Sequence, residues 1–98
     1  MNDKERELHL EENIKRAKEA ETILNNALFL EALTAIRAEL YENFTKTKFK
    51  DDEERKEIWR KQQSIDWLEK YFVNISNTGK LSMQELGKIS RIKKVIGL

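Results

Sequence analysis

Asn77-Thr78-Gly79-Lys80-Leu81-Ser82-Met83-Gln84-Glu85-Leu86 is the stretch on which the fold of this chain turns. Taken by itself it punctuates a helix twice. Thr78-Gly79-Lys80 has the form of a stop, with glycine supplying the positive φ that follows a last helical turn. Ser82-Met83-Gln84-Glu85 has the form of a capping box, in which a Ser hydroxyl and a Glu carboxylate three residues apart satisfy the first amides of a new helix. Leu81 and Leu86 stand at the positions of a hydrophobic staple around it. Together these signals predict one helix ending near residue 77 and another starting near residue 82.

Upstream of the stop, Ile58, Ile65, Leu68, Phe72 and Ile75 follow one another at intervals of seven, three, four and three. That is a helical stripe, and it is flanked by Trp59, Trp67 and Tyr71. Asp51-Asp52-Glu53-Glu54 opens this segment with acidic residues that complement a helix dipole, and Asp51 with Glu54 can cap it. Downstream, Leu86, Ile89, Ile92 and Ile96 form a second stripe with Met83 beside it, and Gly97 can end it. Further upstream, Phe29, Leu33, Ile36, Leu40 and Phe44 mark one face of a helix over residues 26–44, widened by Ala32 and Tyr41. Leu10, Ile14, Ala17, Ala20, Ile23 and Leu24 trace a narrower stripe from about Asp3 to Asn25. Asn25-Asn26 reads either as a break, since Asn serves at both helix ends, or as the interior of one continuous helix. Thr45-Lys46-Thr47-Lys48-Phe49-Lys50 carries no helical stripe and is read as a loop. Proline is absent and there are only three glycines, so long helices are the default.

The expected fold is therefore all-α: an antiparallel helical hairpin, 26–44 against 52–77, with additional N- and C-terminal helices, three to four in all. Residues 1–98 are read as one helical domain. Residues 1–20 are either a solvated helix end or an extended arm, and residues 81–98 a basic amphipathic helix. Charged residues make up 38% of the chain and hydrophobic residues 39%, which suits thin helices that each bury one stripe. A compact monomer would carry more core, so self-association or a larger partner is expected.

The same composition narrows the chemistry. Net charge is +1, which gives no global attraction to nucleic acid or membrane. Residues 1–31 carry five positive and eight negative charges, whereas residues 71–98 carry five positive and one negative, so the two ends can attract. There is no cysteine, hence no disulfide or thiolate chemistry, in keeping with a reducing compartment. No apolar run is long enough for a membrane span, and the N-terminus lacks a signal-peptide pattern. A soluble intracellular protein is expected. His9 is the one histidine, too few ligands for a metal centre. Asp66, beside Trp67, is expected to form a surface ion pair, with Lys70 in reach, rather than to act as an acid or base. Thr78-Gly79-Lys80 lacks the first glycine and the strand of a phosphate-binding loop. No catalytic, cofactor-binding or metal-binding residues are assigned, and the chain is read as non-enzymatic.

Two surface readings remain. Trp59, Trp67, Tyr71 and Phe72 crowd one segment, and a two-helix pair cannot bury both tryptophans. They are candidates for a protein interface, unless the terminal helices cover them. Lys88, Arg91, Lys93 and Lys94 on the C-terminal segment are candidates for nucleic-acid contact, although the isoleucines among them also fit an ordinary amphipathic helix.

Glu21 to Leu33 (ETILNNALFLEAL), the Asp52-to-Trp59 stretch with Glu54, Arg55 and Trp59, and Thr78-Gly79-Lys80 resemble a group of small helical proteins of tailed bacteriophages encoded near virion structural genes. The resemblance covers about residues 20–81, and the chain has Ala27 where members of the group often carry proline. It implies a phage context, in the host cytoplasm or the virion, and brings no catalytic residues. The function expected is a helical interaction module acting in virion assembly as an oligomer, with a copy of itself or another phage or host protein as partner. The alternatives are a DNA-contacting packaging or regulatory subunit and an inhibitor of a host defence enzyme.

Overall fold

A computed structural model describes residues 2–97. They form three α-helices, α1 (Asp3–Leu24), α2 (Ala27–Thr45) and α3 (Asp52–Val95), with no strand among the described residues. The all-α class read from the apolar stripes is the class observed.

Local chemistry sets the helix starts. The reciprocal capping box of this chain lies at Asn2 and Glu5: the Glu5 amide donates to Asn2 Oδ1 (2.8 Å) and the Asn2 amide to Glu5 Oε2 (3.4 Å). Asn26 resolves the Asn-Asn ambiguity as a break. Its side chain accepts from the Phe29 amide at 2.9 Å, so α1 ends at Leu24 and α2 begins at Ala27. The connection expected at residues 45–50 is observed at 46–51, one residue further on, because Thr45 belongs to α2. There the Asp51 carboxylate accepts from the Lys48 amide at 2.8 Å, and Arg55 donates to the carbonyls of Lys48 and Phe49 and to the Asp52 carboxylate. Asp51 thus ties the loop to the start of α3.

The stop at Gly79 and the start at Ser82 do not occur. α3 continues through both to Val95, so the separate helix expected over 81–98 is the last part of α3. Among the described residues only Gly97 has a positive φ, 78°, and it follows the end of α3 as expected. Leu81 and Leu86 form no staple: Leu81 is exposed and Leu86 half-buried on one uninterrupted helix.

The chain divides into two compact units, Leu24–Tyr71 and Met1–Ile23 with Phe72–Leu98. In the first, α2 runs antiparallel to residues 52–71. Arg37 bridges the pair, donating from Nη2 to Asp66 Oδ1 (3.0 Å) and to Glu69 Oε1 (3.1 Å). Asp66 therefore pairs across the hairpin rather than with Lys70, and it also accepts from Gln62 at 3.1 Å. Leu33 and Leu40 are buried, while Ile36 and Phe44, read on the same stripe, are exposed.

In the second unit, α1 runs antiparallel to residues 72–95. Residues 3–20, read also as an arm, are here the larger part of α1, with Leu10, Ala17 and Ala20 buried. Facing them on α3 are Ser76, Gly79 and Ser82, the buried residues of that helix. A Cβ placed on Gly79 would lie 2.0 Å from the Ala17 Cβ and 3.2 Å from the Asn13 carbonyl oxygen. Gly79 is thus a point of close helix approach, and its role is to have no side chain. The flanking serines donate and accept across the same seam: Ser76 Oγ donates to Glu21 Oε1 (3.0 Å), and Ser82 Oγ accepts from Asn13 Nδ2 (3.2 Å). The two charge-bearing ends meet here too, through Lys93–Glu7 and Arg6–Glu85.

Candidate protein interface

The α2–α3 pair of the first unit has a groove on one face. It is an open depression of about 260 Å³ lined by Leu40, Tyr41, Phe44, Ile58, Trp59 and Gln62, with Arg37 and Arg55 at its margins. The lining follows from helix geometry. Leu40 and Ile58 sit on the facing stripes of α2 and α3. Tyr41 and Trp59 each follow them by one residue, about 100° round their helices, and in an antiparallel pair both rotations lead to the same face. Phe44 ends the α2 stripe, where the partner helix is beginning and cannot cover it. Tyr41 is 71% exposed, Trp59 63% and Phe44 48%.

Both arginines have settled roles. Arg55 is spent on the loop carbonyls and Asp52. Arg37 is held by two carboxylates, and its pKa is raised by the hydrogen bond to Glu69, then by that to Asp66. A guanidinium already charged across the ordinary pH range gains nothing functional from that shift. What the groove offers is apolar and aromatic contact area with hydrogen-bonding capacity at the Tyr41 hydroxyl and the Gln62 amide.

Of the four aromatics nominated from sequence, only Trp59 lines this groove. Trp67, eight residues on, is about 80° further round α3, and Tyr71 about 40° beyond that. They are 78% and 59% exposed. Phe72 is half-buried and belongs to the other unit. The groove residues missed as interface candidates, Tyr41 and Phe44, were visible in sequence as the flank and the end of the α2 stripe.

The four cations nominated for nucleic acid all lie in the last turns of α3. Lys88, Arg91 and Lys94 are exposed. Lys93 is half-buried and paired with Glu7, and Arg91 Nε donates to the Gly87 carbonyl at 3.3 Å. His9 is exposed, and no three His, Asp or Glu side chains among the described residues are grouped to hold a metal. No helix among the described residues is long and apolar enough to cross a membrane. In comparison with known proteins, no family model, no curated protein and no solved structure matches this chain.

Proposed function

We propose that this chain is a non-enzymatic helical protein–protein interaction module that acts as an oligomer through helix–helix contact, in the virion-assembly setting that its sequence resemblance implies. The observation that carries the reading is the groove on the α2–α3 pair, where Tyr41, Phe44 and Trp59 stand exposed around Leu40 and Ile58. Aromatic residues clustered around an apolar depression are where binding energy concentrates in protein interfaces. The reading calls for no reactive side chain. The DNA-contacting alternative retains Lys88, Arg91 and Lys94 but has Lys93 engaged with Glu7, and it stays second.

The test is the double variant Tyr41→Ala/Trp59→Ala. It is expected to keep its helical circular dichroism and to lose association, with its own kind or with co-expressed virion proteins, in sedimentation velocity. Unchanged association would remove this surface as the interface. A mobility shift of duplex DNA at low salt that fades steeply with added salt would favour the second reading instead.

A further inference from the structure

We propose that one side of α3 between residues 80 and 94 is a second contact surface of this module, and that it takes an acidic helix of a partner protein. This goes beyond the groove reading, because the surface lies in the other compact unit and uses none of the groove residues. Three observations carry it. The first is charge. Lys80, Lys88, Arg91 and Lys94 are exposed, and none of them forms an ion pair among the described residues. Residues 72–95 hold one acidic residue, Glu85, and it is engaged with Arg6. The remaining cation of that stretch, Lys93, is taken by Glu7 of α1. What is left over on this part of α3 is positive, with no carboxylate of the segment free to balance it. Such a surface selects anionic partners and rejects cationic ones.

The second is spacing. Lys80, Gln84, Gly87, Arg91 and Lys94 follow one another at intervals of four, three, four and three. At about 100° per residue the five fall within an arc of about 80°, and they run about 21 Å along the helix. Alternation of four and three is the period of a seam between two helices. This stripe lies about 80–100° round α3 from Gly79, so it is not the side that packs on α1. It holds no large apolar side chain. What it offers a second helix is positive charge at both ends and the Gln84 amide between them.

The third is Gly87. Glycine inside a helix is destabilising relative to alanine. At Gly79 the reason for glycine is Ala17, which leaves no room for a Cβ. At Gly87 a Cβ would meet no heavy atom nearer than the Arg91 guanidinium at 3.8 Å, an ordinary contact. Packing within the chain therefore gives no reason for this glycine. A helix lying along the stripe does, because a glycine at its middle lets two backbones come close, as Gly79 lets α1 approach. The chemistry of that approach is also present in this chain: α1 meets α3 through the carboxylates of Glu7 and Glu21. Phosphate contact through long, flexible lysine and arginine side chains would place no such demand on residue 87.

The probe is a labelled helical peptide of about three heptads with glutamates on one face at the same four-three spacing, titrated with the full chain by fluorescence anisotropy at low salt. Binding is expected. Lys80→Glu/Arg91→Glu should weaken it at least about ten-fold, with helical circular dichroism retained, since both side chains are exposed. Gly87→Ala should raise the melting temperature of the free chain, and Gly87→Gln, which fills the middle of the stripe, should weaken the peptide by a similar factor. Tyr41→Ala/Trp59→Ala should leave peptide binding unchanged, so that failure of the groove and failure of this stripe are separate results. Absence of peptide binding overturns the proposal. So does binding that Gly87→Gln leaves intact, or equal binding of a peptide with the same glutamates dispersed round its helix. Duplex DNA of about 20 base pairs that binds more tightly than the peptide, and equally to wild type and Gly87→Gln, overturns it in favour of a phosphate-binding face.

Discussion

Gly79 carries the largest gap between local pattern and structural role. In a helix interior glycine costs about 1 kcal/mol relative to alanine, so a helix considered alone would gain from Gly79→Ala. Here the added Cβ would sit 2.0 Å from that of Ala17. Overpacking of this kind costs about 1–3 kcal/mol or more and outweighs the propensity gain. Gly79→Ala is therefore expected to lower the melting temperature by several degrees, and Ala17→Gly in the same chain to restore part of the loss. The double variant should be more stable than the two single effects predict, as a thermal double-mutant cycle would show. Additive effects would mean that the two helices do not touch there. The neighbouring serines belong to the same logic. Ser76 and Ser82 are small enough for close approach, and each has its hydroxyl bonded across the seam, to Glu21 and Asn13. These bonds join particular residues and so favour one register.

Among the elements, α3 decides the architecture because it does not stop. Its 44 residues include Gly79, Ser82 and Gly87, none of which breaks it. Met83 offers a clean test, being 58% exposed and so little involved in packing. If Ser82 capped a new helix, Met83 would be its first residue, where proline is favoured. In a continuous helix, Met83→Pro loses an interior hydrogen bond and clashes with the Gly79 carbonyl, at about 3 kcal/mol or more. The structure predicts the second outcome, read as a large loss of stability in chemical denaturation. Hydrogen exchange supplies an independent check: the amides of Leu81, Ser82 and Met83 should be protected as helix interior, since none of them is a first-turn amide. The contrast with α2 is instructive. Asn26 looks like a cap and is one: its backbone is extended and its side chain accepts from the Phe29 amide at 2.9 Å.

For the whole molecule, the deciding quantity is the buried core. Among the described residues the buried apolar side chains are Leu10, Ala17 and Ala20 in one unit and Leu33 and Leu40 in the other, a thin core for each. Association linked to folding makes stability depend on concentration. The melting temperature is therefore expected to rise with protein concentration in the wild type and to become concentration-independent in Trp59→Glu. A flat dependence in the wild type would mean that each unit is sufficient by itself. The sequence by itself determined the all-α class, the apolar stripes, a loop placed at residues 45–50, the absence of thiol chemistry and the crowding of aromatics on α3, because periodicity and turn chemistry are local. It left open whether Asn26 was a cap, and it misdirected the stretch from Asn77 to Leu86. Small and hydroxylated residues have two uses, helix punctuation and close helix contact, and the same letters serve both. Only the tertiary structure chose between them: Ala17, sixty-two residues away, lies against Gly79 and makes contact the stronger use. The groove was decided the same way, since Tyr41 and Trp59 share a face only once α2 and α3 lie antiparallel.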